Sequence, residues 1–340
     1  MESIREMDCL RIMDMKSLHN DNVESTPTTK TLEPGSPNSR LFLILNPVAG
    51  SCSAERVRFT LKQYCEQHDV GYEIYETTGK EHLPSIVRQA REEDYSVIVA
   101  AGGDGTASMV AGELIHSPIP LGIIPVGTAN LLARELAIPL DLESACQLVV
   151  TGGAIRKIDA MRVGRQVLIS HISLGSYSRI AERTSVEAKR RFRQLAYIWN
   201  GIAEFIGTRV WRFDLVVDGQ RQRIKAAFIM IANVGAMGAA TLRWGEEVKP
   251  DDGKVDICIV RTRGLLHYSS FLWHALRGRH KESPHTDYLW AEKNIKVTAK
   301  KNLPVRGDGE IIGRSSVEIE IIPRAVPIIV PAPMPDEIAS

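Results

Sequence analysis

Residues Ser96-Val97-Ile98-Val99-Ala100-Ala101-Gly102-Gly103-Asp104-Gly105-Thr106 join a short apolar run to a glycine-rich turn. The run does not alternate polar with apolar, so it reads as a strand buried on both faces. The glycines let the backbone take positive φ and come close to a ligand. Helical apolar spacing resumes from Ala107 to His116. Strand, glycine-rich turn and helix N-terminus in that order make a phosphate-binding arrangement. Asp104 sits inside the turn. A bare phosphate cradle does not favour a carboxylate there, whereas one that also manages a magnesium ion or a hydroxyl proton does.

Elements of the same kind lie on both sides. A strand at Leu41–Leu45 ends in the breaker-rich turn Asn46-Pro47-Val48-Ala49-Gly50-Ser51. The spacing predicts a helix from Ala54 to His68, with Val57, Leu61 and Tyr64 on one face. A strand at Tyr72–Tyr75 runs into Glu76-Thr77-Thr78-Gly79, and a helix at His82–Arg91 leads back to the opening strand. Beyond it, Leu121-Gly122-Ile123-Ile124-Pro125 is another buried strand, ending at Val126-Gly127-Thr128-Ala129-Asn130 before a helix near Leu131. Strands alternating with helices imply a parallel α/β sheet with right-handed crossovers. Ligands of such sheets lie beyond the carboxyl ends of the strands. Four loops fall at those ends: Asn46-Pro47, Thr77, Gly102–Thr106 and Gly127-Thr128.

After about Ile158 the strands follow one another. They are expected at Gln166–Ile172, Arg212–Val217, Arg223–Ala232, Val255–Val260, Asn294–Ala299 and Val317–Ile322. This implies an antiparallel sandwich or open barrel, with helical interruptions at Val186–Phe205 and Leu265–Arg277. The apolar tail Val326-Pro327-Ile328-Ile329-Val330-Pro331 needs burial, and the first domain is a place for it. The domains expected are therefore a disordered tail over 1–40, an α/β domain over 41–160 and a sandwich over 161–319, with 320–335 packing back on the α/β domain. The tail's Pro, Ser, Thr and Asn favour disorder over an amphipathic helix at Ile4–Leu18.

The bulk composition fits. The chain has 340 residues, 44% hydrophobic and 24% charged, as in a soluble protein of two ordinary domains. A net charge of +1 argues against a nucleic-acid binder by charge alone. The cysteines Cys9, Cys52, Cys65, Cys146 and Cys258 are scattered, which suggests no disulfide framework and no zinc site, and favours a reducing compartment. No apolar run reaches the ~20 residues of a membrane span, and no signal-peptide core is found. The expected location is cytoplasmic, with peripheral contact at the inner face of a membrane.

Four motifs in order resemble the diacylglycerol kinase catalytic-domain family, which includes bacterial lipid kinases and sphingosine kinases. They are Asn46-Pro47-Val48-Ala49-Gly50, Gly102-Gly103-Asp104-Gly105-Thr106, Pro125-Val126-Gly127-Thr128-Ala129-Asn130 and Pro304-Val305-Arg306-Gly307-Asp308-Gly309-Glu310. Ala232-Asn233 and Pro250–Asp256 resemble the family's acidic-glycine strand entry. The resemblance covers about Leu41 to Pro331. It implies an α/β ATP-binding domain like that of NAD kinases and diacylglycerol kinases, an antiparallel β-sandwich domain, and an active-site cleft between them. It implies an ATP-dependent kinase of a lipid hydroxyl, with a diacylglycerol-like acceptor favoured over a sphingoid base. The backbone of Gly102–Ser108 would hold the nucleotide phosphates, and Asn46, Pro47, Gly50, Thr77, Gly127 and Thr128 would line the ATP site. Asp104 would hold the magnesium bound to ATP. Glu310 matches the family's general base, with Asp308 assisting or binding metal, although in sphingosine kinase-like relatives Asp104's counterpart takes the base role. A second, structural magnesium would map to the Asp252 carboxylate and the carbonyls of Lys249 and Lys254.

The sequence departs from the family at two places. An apolar residue, Asn and Glu usually follow Gly-Gly-Asp-Gly-Thr, and here Ala107-Ser108-Met109 stand there. Many members carry Asp where this chain has Leu131. Two alternatives stay open: an NAD kinase, which shares Gly-Gly-Asp-Gly, and a non-catalytic nucleotide-binding protein. Two basic segments carry apolar and aromatic neighbours, Lys189–Arg193 and Arg261–Lys281. They suit either an anionic membrane surface or a solvated helix face. An exposed edge strand in either domain would allow a homodimer.

Overall fold

The computed structural model describes residues 30–31, 39–50, 52–175, 210–236, 248–261 and 286–332. The helices expected at 186–205 and 265–277 lie outside them. So do both basic segments apart from Arg261, and the tail apart from four residues.

The first half contains β1 (Lys30–Thr31), β2 (Arg40–Leu45), α1 (Ala54–Gln67), β3 (Gly71–Glu76), α2 (Leu83–Glu92), β4 (Val97–Gly102), α3 (Asp104–Glu113), β5 (Leu121–Pro125), α4 (Leu131–Glu135) and α5 (Leu142–Thr151). Strands β3, β2, β4 and β5 lie side by side, all parallel. Their side chains alternate between two helical layers, as strand geometry requires. Leu41, Leu43, Val97 and Val99 pack with Val57 and Leu61 of α1 and Cys146 and Val149 of α5. Phe42, Ile44, Ile98 and Ala100 pack with Val87 of α2, Val110 of α3 and Leu132 of α4. Helix starts are fixed locally. The Ser53 hydroxyl accepts from the Arg56 amide at 3.3 Å, and the Asp141 carboxylate accepts from the Ser144 amide at 2.8 Å.

The second half contains β6 (Ala154–Val163), β7 (Gln166–Leu168), β8 (His171–Gly175), β9 (Trp211–Val217), β10 (Gln220–Ala226), β11 (Phe228–Ala232), β12 (Val255–Val260), β13 (Thr286–Ala291), β14 (Asn294–Ala299), β15 (Pro304–Gly307), β16 (Glu310–Arg314) and β17 (Val317–Val330). One antiparallel sheet runs β13-β12-β11-β8-β15-β16. Facing it, β10-β9-β14-β17 form the start of a longer sheet that continues through β5 into the α/β half. Ile229, Ile257 and Leu174 of the first sheet meet Leu215, Ile295 and Ile319 of the second in the sandwich core.

The two halves share a spine. Residues Val317–Glu320 of β17 pair with β14, and Ile328 lies parallel to Leu121 of β5. Strand β6 runs antiparallel beside β17 from Arg162 opposite Glu320 to Ala154 opposite Val330. The register shifts between Ile322 and Val326, where Arg324 has φ +47° and its amide donates to Asp159 Oδ1 at 2.6 Å. A bulge of this kind bends a strand and lets one element serve two layers.

Several elements differ from the expectation. Helix α3 begins at Asp104, so Asp104-Gly105-Thr106 is its first turn, not a loop before it. The run expected as one strand over Arg223–Ala232 is two strands in different sheets, broken at Ala227. Gln166–Ile172 likewise splits into β7 and the start of β8. Val317–Ile322 and the apolar tail are one strand. Strands β1, β6, β13, β15 and β16 and helix α5 are additional, and β1 lies within the stretch expected as a disordered tail.

All five tryptophans, Trp199, Trp211, Trp244, Trp273 and Trp290, belong to the second half of the chain. Ile328 is fully buried in the α/β core. We expect Ile328→Ala to cost about 2–5 kcal/mol. Because β17 runs through both halves, the loss will lower the urea midpoint read by tryptophan fluorescence. An unchanged fluorescence midpoint would show that the halves unfold independently.

Candidate active site

Three loops meet at the carboxyl ends of β2, β4 and β5. The Asn46 amide donates to the Ala101 carbonyl at 3.0 Å, and the Gly127 amide to the Gly102 carbonyl at 3.1 Å. Asn46 Nδ2 donates to Thr106 Oγ1 at 3.4 Å. Asn130, in the left-handed region at φ +50°, ties its own loop by donating to the carbonyls of Pro125 and Gly127, both at 3.0 Å. A fourth loop joins where the Thr77 amide donates to the Leu45 carbonyl at 2.9 Å. Pro47 is half-buried and Thr128 exposed on this surface.

Apart from Gly50 at φ +70°, the glycines of the site serve space rather than backbone angle. Gly102, Gly103, Gly105 and Gly127 are absent from the positive-φ residues, contrary to the expectation for the turn. A Cβ on Gly127 would collide with the Gly103 Cα and stand 2.6 Å from Asn130 Oδ1. A Cβ on Gly102 would press into the Thr106 side chain, and one on Gly50 into the Val126 carbonyl. Gly103 and Gly105 differ. The nearest atom to an added Cβ is 3.5 Å away at Gly103, and at Gly105 it is Glu310 Oε1 at 3.7 Å. These two present uncrowded backbone at the positive end of α3, where a phosphate is favoured.

Asp104 opens α3, but its carboxylate reaches another helix. Oδ1 accepts from the Leu131 amide at 2.7 Å and the Leu132 amide at 3.3 Å, capping α4. Burial pushes its pKa up, and these amides work against the shift. One carboxylate oxygen is thus committed to the loop after β5.

Asp308 is the most heavily bonded carboxylate here. Oδ2 accepts from the Ser108 hydroxyl and, at 2.9 Å, from the Ile169 amide. Oδ1 accepts from the Ser170 and His171 amides at 3.1 and 2.8 Å. Burial pushes the Asp308 carboxyl up to about 6, against the pull of Ser108 and the amides. Both oxygens are occupied by protein donors, so Asp308 positions the β15–β16 turn and is not presented to a substrate. Ser108, expected at the phosphates, is 3% exposed and gives its hydroxyl to Asp308. Glu310 begins β16 as an exposed residue, with its carboxylate turned toward Gly105. The chain thus brings together two motifs about two hundred residues apart.

A second carboxylate joins the halves, which the sequence did not single out. Glu135 Oε2 accepts from the Gly235 and Ala236 amides at 2.9 and 3.1 Å. The loop with Lys249, Asp252 and Lys254 packs against Asp159. Asp159 is fully buried and accepts from the Gly253 amide at 2.7 Å. Asp252 Oδ1 accepts from the Lys254 amide at 3.0 Å, and Asp251 is held bidentately by Arg156 at 2.7 and 2.8 Å. One carboxylate plus backbone carbonyls is an oxygen donor set that suits a hard cation. Among the described residues no group of three His, Cys, Asp or Glu side chains is placed to hold a metal.

Two family models match the chain. The diacylglycerol kinase catalytic domain matches residues 40–163, and the YegS C-terminal NAD kinase beta sandwich-like domain matches 170–330. The chain belongs to the diacylglycerol kinase catalytic-domain family. It is an ATP-dependent lipid kinase, and the family uses ATP with a divalent metal. The Bacillus subtilis diacylglycerol kinase is 28% identical over 301 residues, 86% of this chain and 96% of that one. An uncharacterized Synechocystis protein is 29% identical over 304 residues, 85% and 70% of the two chains. A crystal structure of a Bacillus anthracis diacylglycerol kinase superposes with TM-score 0.72 at 20% identity, covering 87% of this chain and 98% of that one. That likeness establishes the fold. Among the described residues no helix of this kinase is long and apolar enough to cross a membrane.

Two predictions test the geometry. Gly127→Ala will lower stability by about 1–3 kcal/mol in denaturant unfolding, as overpacked backbone does. Gly105→Ala will fold as the wild type but weaken ATP binding in calorimetry; equal losses in both would mean that the two glycines do one job. The second concerns Asp308. With its carboxyl near 6 in the fold and at the ordinary 3.8 when unfolded, the native state holds a proton that the unfolded chain has lost between those values. Its contribution to stability therefore falls as pH rises from 4 to 6 and is level above, by up to about 3 kcal/mol. The unfolding free energy of wild type minus Asp308→Asn should fall across that window. A difference that rises with pH would reverse the assignment.

Proposed function

We propose that the kinase transfers the γ-phosphoryl group of Mg-ATP to the hydroxyl of a diacylglycerol-like lipid, met at the cytoplasmic surface of a membrane. The supporting observation is the facing of Glu310 and Gly105 across the junction of the two halves. Phosphoryl transfer asks the protein for placement and charge neutralisation. The open backbone of Gly103 and Gly105 at the start of α3 receives the phosphates. Asn46, Pro47, Gly50, Thr77, Gly127 and Thr128 shape the remainder of the nucleotide site. Magnesium bound with ATP neutralises the charge on the phosphates. Asp104 would hold it through the oxygen not engaged by α4, directly or through water.

Glu310 is the general base, accepting the proton of the lipid hydroxyl as the oxygen attacks phosphorus. Asp104 is less suited to that role, because α4 fixes one of its oxygens. Asp308 and Ser108 hold Glu310 in place. Asp252 with the Lys249 and Lys254 carbonyls would hold a structural magnesium that braces the loop before β12.

The test is incubation of the purified protein with labelled ATP and a lipid panel, followed by the mass of the phosphorylated product. Absence of any phosphorylated lipid would end the proposal. Asp104→Asn and Glu310→Gln should each lower kcat by about a hundredfold or more with unchanged circular dichroism. Near-normal turnover in both would reject the site.

A further inference from the structure

Helix α4 has five residues, about 7.5 Å of length, too few to hold a helical shape alone. Its two ends hold it instead. Asn130, at the N-cap, makes no side-chain bond to the helix, because its Nδ2 is given to the Pro125 and Gly127 carbonyls. Asp104 supplies the cap from α3, through the Leu131 and Leu132 amides. At the far end Glu135, the last residue of α4, takes the Gly235 and Ala236 amides on one oxygen. Between the ends, Leu132 and Ala133 are buried in the α/β core.

The loop after β11 carries the connection onward. Val234 is fully buried in the same core as Leu132 and Ala133, so apolar contact seats this loop on the α/β half. Such contact has no direction. The two amides given to Glu135 do, and hydrogen bonds to a carboxylate are the stronger class. Beside Val234, the buried Asn233 donates its amide to the Ser170 carbonyl and its Nδ2 to the Ile169 carbonyl, both at 2.9 Å. The amides of those same two residues donate to Asp308, which also takes the Ser108 hydroxyl. Ser108 stands on α3, about one helical turn after Asp104. The path therefore closes on itself. It runs from Asp104 through α4 to Glu135, through the loop after β11 and the turn into β8 to Asp308, and back along α3.

We propose that Glu135 is a positioning residue of this kinase, which acts through α4 to hold Asp104 in register with Glu310. This rests on the reading of those two acids as metal holder and general base. Asp104 is part of the ring, and Glu310 is two residues beyond Asp308. One contact between two bodies permits rotation about it, and a second removes that rotation. Ser108 provides one route from Asp104 to the base and Glu135 the other. Phosphoryl transfer depends on placement, and a misplacement of about 1 Å can cost about a hundredfold in rate.

The test compares wild type with Glu135→Ala, Glu135→Gln and Glu135→Asp. Glutamine keeps an oxygen at the same reach, whereas aspartate keeps the charge and falls short. In a dioctanoylglycerol assay Glu135→Ala should lower kcat about tenfold or more, with both KM values within about twofold. Glu135→Gln should restore kcat to within about threefold of wild type. If Glu135→Ala does not fold, Glu135→Asp should show the same loss of kcat. A folded Ala or Asp variant with wild-type kcat, or a Gln variant as slow as they are, overturns the assignment. Amide hydrogen exchange tests the helix without any lipid. In the Ala or Asp variant, exchange should quicken at Gly235 and Ala236 and also, about tenfold or more, at Leu131 and Leu132. Quickening confined to Gly235 and Ala236 overturns the transmission through α4. Wild type that phosphorylates no lipid, with exchange quickened at both ends of α4 in the variants, keeps the strut and rejects the roles given to Asp104 and Glu310. Wild type that phosphorylates lipid, with kcat unchanged in the folded variants, rejects the role of Glu135 alone.

Discussion

A single carboxylate, that of Asp308, stands between the two halves of this molecule and receives four hydrogen bonds. Three come from the backbone at the turn into β8, and one from Ser108 on the helix that starts at the phosphate turn. A buried carboxylate is costly unless its oxygens are satisfied, and once satisfied it is a stiff joint. Glu310 is two residues farther on, past Gly309, so its position is set by that joint. Glu135 makes the opposite connection, from α4 to the backbone after β11. Each half thus extends an acid to the other.

The phosphate turn works under a related constraint. Loops from three parallel strands must converge without side chains in the way. Gly50, Gly102 and Gly127 let them touch, and Gly103 and Gly105 leave the converged surface open. Asp104 then ties the turn to α4 from within. The acid that looked out of place in a phosphate cradle is, in part, the cap of a neighbouring helix.

Much of this was legible in the sequence, for identifiable reasons. The parallel strands are short apolar runs between breakers, and the register of β2, β4 and β5 places their loops where the motifs fall. The start of α3 was hidden because two glycines mask helical periodicity. Arg223–Ala232 reads as one strand because its apolar content continues through Ala227, although the chain changes sheets there. Strands β15 and β16 were not singled out because the motif's glycines and acids obscure alternation. The pairing of Ser108 with Asp308 had no local signal, since each residue alone suits solvent or a ligand. The Glu135 clasp is equally silent, being a side chain meeting backbone a hundred residues away.

Strand β17 carries a consequence for how the chain reaches this state. Strand β5 is made early, yet its outer edge is closed only by Ile328 and its neighbours, about two hundred residues later. Until then a synthesised α/β half presents an open, hydrophobic sheet edge, the feature that templates wrong pairing between chains. Contacts of such long sequence separation form slowly. The nascent protein thus passes through an extended window in which its first half is nearly complete and adhesive. That same open edge is what makes the shared spine possible.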